Sequence, residues 1–255
     1  MYQKTEAIVL KTVDFSETST VLTMFSRDFG KIRALAKGGR RLKGPFESAL
    51  DLMSHVSISY IPKRGEALDL LTESKLIRRF RLNRENFGGM YAGFYLIELL
   101  NEMTVEQEPT PDLFHLAVET LSQFIDAKPI MPALMRFEWR ALEITGNFPS
   151  LDFCVFCGEK IGNSSPRIEF GHWDGGVICP KCRFGTRQIS VITPALRNAI
   201  CQLVTPNQNA ENDETQEAAA IDNSQMGPMR ALLNRYVSHL VGKRPAMFNY
   251  FSKMK

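Results

Sequence analysis

Two Cys-x-x-Cys pairs constrain this chain more than any other feature. Cys154-Val155-Phe156-Cys157 and Cys179-Pro180-Lys181-Cys182 are separated by the 21 residues 158–178. Two such knuckles can bring four thiolates to one point, the donor set of a tetrahedral zinc ion. Gly158 follows the first pair and Pro180 sits inside the second, so each knuckle carries a turn former. Few apolar residues lie between them, and the spacing predicts that a metal ion replaces a missing hydrophobic core over residues 150–190. Four cysteines leave no open coordination position, so the expected ion is one structural Zn2+ per chain, not a catalytic one. A redox pair, disulfides and buried free thiols are the competing readings. A redox motif would follow a strand in a βαβ unit, and no such unit is read here. The fifth cysteine, Cys201, makes the count odd, and the polar start Met1-Tyr2-Gln3-Lys4-Thr5-Glu6 is no secretion signal, so a disulfide framework is disfavoured. His172, between the pairs, reads as a surface histidine, and Cys201, beside Ile200 and Val204, as a core thiol.

The first eighty residues carry a β pattern. Thr5–Val13 alternates, with Ala7, Val9 and Lys11 on one face and Ile8, Leu10 and Thr12 on the other. Ser19–Phe25, Lys31–Ala36, Asp51–Tyr60 (Leu52, Val56 and Ile58 on one face) and Leu68–Lys75 supply four more runs. Five short strands broken by Gly, Pro and charge predict a small barrel of OB-fold size.

After Arg81 the period becomes helical. Phe87, Met90, Tyr91, Phe94, Tyr95, Ile97 and Leu100 form a wide apolar stripe, which predicts a largely buried helix. Thr110-Pro111-Asp112 opens a second helix to about Ile125, and Pro129 or Pro132 opens a third that stops near Gly146. Thr193-Pro194 starts a helix to Val204, and Pro228–Val241 is the last, with Gly242 as its stop. Residues 150–190 show little regular structure. Residues 206–225 hold five acids and no Lys or Arg, the composition of a disordered loop. Together these patterns predict an α+β chain, with an N-terminal OB-fold β-barrel (1–81) followed by an all-α domain (82–255) with an embedded four-cysteine zinc element. No run approaches the roughly 20 apolar residues that span a bilayer. The best, Met90–Leu100, is short and contains Glu98, and a cytoplasmic location is expected.

Charge is unevenly spread. Residues 1–81 hold 15 Lys/Arg against 9 Asp/Glu, whereas the remainder holds 16 against 19. The densest cationic segment places Lys31, Arg33, Lys37, Arg40, Arg41 and Lys43 within 13 residues with no acid among them. Lys31, Arg33 and Lys37 share one face of an extended run, and Gly38-Gly39 lets the backbone turn and approach a ligand. Six cations in this space could neutralise several phosphates and give salt-dependent, sequence-independent binding. A solvated basic loop is the bland alternative. Arg78, Arg79, Arg81 and Arg84 form a second basic run. Phe15, Phe29, Phe46 and Tyr60 are the aromatic rings of the barrel, each read as core before stacking platform.

On these residues the chain resembles the bacterial DNA repair and recombination mediator family RecO. The likeness is carried by Glu6-Ala7-Ile8-Val9-Leu10, Glu17-Thr18-Ser19, Phe25-Ser26, and above all Gly30-Lys31 through Ala36-Lys37-Gly38-Gly39-Arg40-Arg41. The four-cysteine segment and Gly242-Lys243-Arg244 fall at the family's places, so the resemblance runs nearly the whole length. It implies an OB-fold, a helical domain and a zinc element packed on it. It implies binding of single- and double-stranded DNA, annealing of complementary strands, and loading of recombinase onto strands coated by single-strand-binding protein. The implied partners are RecR, the C-terminal acidic tail of single-strand-binding protein and, in some members, RecF; the implied location is the nucleoid. By motif match Lys37 and Arg40, with Arg41, take DNA-contacting positions. The 206–225 stretch is longer than the family pattern.

No nucleophile–base arrangement, paired-carboxylate site or G-x-x-x-x-G-K-[ST] loop is present, so no enzymatic activity is expected. A zinc-containing nuclease and a protein–protein scaffold are the alternatives from other classes.

Overall fold

A computed structural model describes residues 2–41, 46, 49–65, 67–80, 87–125, 129–162, 166–204 and 222–251. The five β runs become β1 (Gln3–Asp14), β2 (Thr20–Ser26), β3 (Gly30–Ala36), β4 (Ser54–Ile61) and β5 (Asp69–Arg79). They close into a barrel in the order β1-β2-β3-β5-β4. β1 is long enough to pair with two neighbours: residues 3–8 lie against β4 and residues 7–14 against β2. Closure comes from the parallel pairing of Ala34–Ala36 with Asp69–Leu71. Inside are Ala7, Val9, Leu22, Met24, Ile32, Ala34, Ala36, Val56, Ile58, Tyr60 and Leu71, with Phe46 and Ala49 added from the β3–β4 connection.

Two sequence expectations need correction here. A β-bulge between Val9 and Lys11 shifts the register. The inserted residue reverses side-chain parity, so Lys11 leaves the face of Ala7 and Val9 and is exposed. Leu52 does not share a strand with Val56 and Ile58, because Met53 takes a positive φ of 58° and β4 starts at Ser54.

The helices follow as α1 (Phe87–Met103), α2 (Pro111–Ile125), α3 (Ile130–Ile144), α4 (Pro194–Val204), α5 (Asn223–Leu240) and the single turn α6 (Phe248–Phe251). The chain divides into two compact units, Met1–Ile130 with Pro245–Lys255, and Met131–Arg244.

In the first unit the outer face of the barrel is itself partly buried. Phe25, 0% exposed, stacks obliquely on Phe114 of α2 with ring centroids 6.0 Å apart. His55 meets the same ring edge-on at 5.6 Å and hydrogen-bonds Glu6 at 2.8 Å. α1 buries Ala92, Tyr95, Leu96 and Leu99, so the expected stripe is only partly core: Phe87 is exposed and Tyr91 half-buried. Phe248 packs on Tyr95, Tyr250 stacks on Tyr91 at 4.8 Å, and the Glu98 carboxylate accepts the Ala246 and Met247 amides.

The second unit is not all-α. It contains a three-stranded antiparallel sheet, β6 (Ile168–Gly171), β7 (Gly176–Ile178) and β8 (Ile189–Ile192), in the order β7-β6-β8. Ile168, Phe170, Val177 and Ile178 are buried, so this segment has more core than its composition suggests. Strands of three or four residues are too short to display a period. Phe170 lies edge-on to Tyr236 of α5, whose hydroxyl donates to the Asn147 carbonyl at 2.9 Å. α5 starts earlier than Pro228: Asp222 caps it by accepting the Ser224 amide at 3.0 Å, and Pro228 lies inside the helix. Residues 223–225, expected in the acidic loop, are therefore helical, while 206–221 fall outside the described residues. No helix among the described residues is long and apolar enough to cross a membrane.

Candidate functional site

The four cysteines converge. The Sγ atoms of Cys154, Cys157, Cys179 and Cys182 all lie within 4.8 Å of one another. The first knuckle is turned by the Gly158 amide donating to the Cys154 carbonyl at 2.9 Å, with Gly158 at a φ of 71° that a side chain would resist. The second closes through the Cys182 amide to the Cys179 carbonyl at 3.0 Å. The β7 strand sets the two knuckles side by side: Val155 donates to Val177 at 3.1 Å, one residue beyond the first cysteine and two before the third.

A tetrahedral ion with Zn–S bonds of about 2.3 Å requires an S···S edge of about 3.8 Å. Cys157 and Cys179 already stand 3.7 Å apart. Electrostatics point the same way. Burial raises the Cys154 pKa, but the amides of Cys179, Cys157 and Phe156 aimed at its sulfur outweigh it and bring it down to about 6. The sulfurs of Cys179 and Cys157 push Cys182 up to about 12. Four thiolates this close cannot all ionise unaided, and a divalent cation bound among them would supply the missing positive charge. His172 is neither a surface residue nor a member of the cluster: it is 3% exposed, with Nε2 2.8 Å from Ser190 Oγ. Cys201 is half-buried in α4, and burial raises its pKa.

The basic segment divides into two parts. On β3, alternation turns Ile32, Ala34 and Ala36 inward and Lys31, Arg33 and Leu35 outward. The chain after α1 runs beside this strand, with the Lys31 amide donating to Val105 at 3.2 Å and the Gln107 amide to Lys31 at 3.3 Å. Glu106 is thereby brought to Arg33, 3.8 Å between charged atoms, and near Lys31. Lys31 is half-buried and donates to the Asn101 carbonyl; burial lowers its pKa, while Glu102 and Glu106 act to raise it. The second part, Lys37–Arg41, is a turn held by Gly39 to Ala36 and Arg41 to Gly38 amide–carbonyl bonds. Lys37 and Arg41 are exposed. Arg40 donates its amide to the Thr18 carbonyl at 3.1 Å and pairs with Asp14 at 3.3 Å, tying the turn to the β1–β2 loop. Lys43 lies outside the described residues, as do Arg81 and Arg84 of the second basic run. Of the rest of that run, Arg78 donates to Ser122 and Arg79 pairs with Asp51.

Of the four barrel aromatics, Phe46 and Tyr60 are core and Phe29 packs on Tyr60 at 6.0 Å. Phe15 is the exception, 65% exposed in the β1–β2 loop. Its exposure could not be read from one aromatic two residues beyond the alternating run Thr5–Val13.

Known families match both parts of the chain. Residues 1–80 match the family model described as recombination protein O N terminal, and residues 84–246 the one described as recombination protein O C terminal. A protein named DNA repair protein RecO from Rhodopirellula baltica is 35% identical over 94% of this chain and 96% of its own length. Its namesake from Myxococcus xanthus is 29% identical over 98% of this chain and 96% of its own. With both family models matched and that identity over nearly its full length, the chain belongs to the RecO family of DNA repair proteins.

Proposed function

We propose that this protein is a non-enzymatic DNA-binding mediator of recombinational repair, and that its barrel is an OB-fold that grips the sugar-phosphate backbone through Arg33, Lys37, Arg40, Arg41 and Lys43. The observation that carries this reading is the exposed Lys37–Arg41 turn beside β3. Lys31 contributes field more than contact, since its ammonium is committed to Asn101. A cationic surface of this kind screens the repulsion between two strands, and annealing then needs no covalent chemistry. The reading extends to loading of recombinase onto strands covered by single-strand-binding protein, with RecR, the acidic tail of that protein and RecF as partners, and to a place at the nucleoid; membership of a DNA repair family supports it.

The four thiolates hold one structural Zn2+, whose chemistry is that of a cross-link. Cys154, Cys157, Cys179 and Cys182 fill all four positions, so the donor set offers none for an activated water, which weighs against a nuclease.

The test is the double variant Lys37→Glu, Arg40→Glu. It should lose affinity for single- and double-stranded DNA by at least tenfold at low salt, flatten the salt dependence, and keep the wild-type melting temperature. Full affinity in a folded double variant refutes the assignment.

A further inference from the structure

The outer surface of β1, β2 and β3 has a layout that the basic turn alone does not explain. Pairing places Lys11 opposite Thr23 and Thr23 opposite Arg33. One step towards the β1–β2 loop, Val13 lies opposite Val21 and Val21 opposite Leu35. Paired residues in a sheet point to the same side. Leu22, Met24, Ile32 and Ala34 fill the interior, so these two rows face outward. The first row ends in an exposed cation on each side, Lys11 and Arg33. The second is wholly apolar, with Val13 48% exposed and Val21 and Leu35 half-buried. The bulge in β1 is what brings Lys11 and Val13 onto this face.

Beyond the apolar row comes Phe15. Its loop is ordered by the Phe15 and Ser16 amides, both donating to the Ser19 carbonyl at 3.0 and 3.2 Å, and by Ser19 donating back to Ser16 Oγ. Arg40 binds this loop twice, through Thr18 and through Asp14, the residue before Phe15. The loop that carries the ring is thus tied to the cationic turn, and the ring itself is exposed and not collapsed onto the core. An aromatic held in the open next to phosphate-binding cations is the arrangement that stacks unpaired bases. A duplex, whose bases already stack on each other, offers no free base face to it.

We propose that Phe15 is a base-stacking residue for single-stranded DNA, and that the strand crosses the outer face of β1–β2–β3 with its bases over Val13, Val21 and Leu35 and its phosphates along Lys11, Arg33 and Lys37. This rests on the DNA-binding reading and adds to it the means by which single strands are told from duplex.

The experiment compares wild type, Phe15→Ala, Phe15→Tyr and the Lys37→Glu, Arg40→Glu double variant on three probes: oligo(dT), an abasic strand of equal length, and a duplex. Phe15→Ala should weaken oligo(dT) binding about tenfold. It should leave abasic and duplex binding within about twofold and the salt dependence unaltered, because no charge is lost. Phe15→Tyr should retain wild-type affinity. Unchanged oligo(dT) binding in Phe15→Ala, or an equal loss on the abasic strand, overturns the stacking role. If the double variant also binds all three probes normally, the DNA-binding reading falls with it; if the double variant alone is impaired, only the stacking role falls. Phe15 is exposed, and equal melting temperatures confirm that the variants fold.

Discussion

Lys31 Nζ donates to the main-chain carbonyl of Asn101 at 2.6 Å, which joins a strand of the barrel to the last turn of α1. That carbonyl lies at a helix C-terminus, where unpaired oxygens favour a cation. Lys31→Met should therefore lower stability by about 1.5–3 kcal/mol, the range for a hydrogen bond to a charged group. Its DNA affinity should fall less than that of Lys37→Met. Urea melts and salt titrations on both variants decide this. Wild-type stability with collapsed affinity would return Lys31 to the interface.

The cysteine cluster predicts a measurable stoichiometry. Elemental analysis should find one zinc per chain, absent after Cys179→Ser. The variant should lose amide-exchange protection around Val177 and Ile178, whose strand sets the two knuckles together, and the destabilisation should amount to several kcal/mol. A metal-free protein as stable as wild type would refute the zinc assignment.

Within the second unit, Arg230 of α5 bonds the carboxylate of Glu138, which is 1% exposed on α3. Breaking such a pair removes a principal counter-charge from a buried ion and costs more than removing both partners. Glu138→Leu should destabilise by about 3 kcal/mol, and Glu138→Leu with Arg230→Met should recover most of that. Equal melting curves for the single and double variants would show that the Arg230 charge is not what destabilises Glu138→Leu.

His172 gives a pH signature. Burial, with Arg235 and His239 nearby, lowers its pKa from 6.5 to about 4. Unfolding restores the ordinary value, so between those limits the unfolded chain binds the extra proton. Stability is full above pH 6.5 and is lost as pH falls towards 4, by on the order of 2–3 kcal/mol. Thiolate protonation also acts in acid, so the quantity to measure is the stability difference between wild type and His172→Gln. That difference should move in the variant's favour between pH 7 and pH 5. A pH-independent difference would show that His172 does not titrate as described.

The barrel was legible because each of its strands is solvated on one face for part of its length, and alternation such as Ile32-Arg33-Ala34 then marks inside from outside. The bulge was not: one inserted residue leaves composition intact while reversing every later side chain of β1. The sheet β7-β6-β8 is not legible in the sequence because its strands run three or four residues. Pro228 was misleading in a different way, since proline is tolerated in a first turn and the true cap, Asp222, lies six positions earlier. The cysteines were fully legible as a cluster because local spacing determines the knuckle. The division of the basic segment was not, because Asn101 and Glu106 reach Lys31 and Arg33 from some seventy positions away.

Residues 245–251 return to the unit that begins the chain, where Phe248 is 3% exposed against Tyr95 and the Glu98 carboxylate holds the amides of Ala246 and Met247. On the ribosome this sets an order of events. At roughly 5–20 residues per second, the strands emerge several seconds before the segment that covers α1 is made. Through that interval Tyr95 lacks its cover, and a nascent chain halted before Pro245 would present that aromatic surface to the chaperones that patrol the exit tunnel.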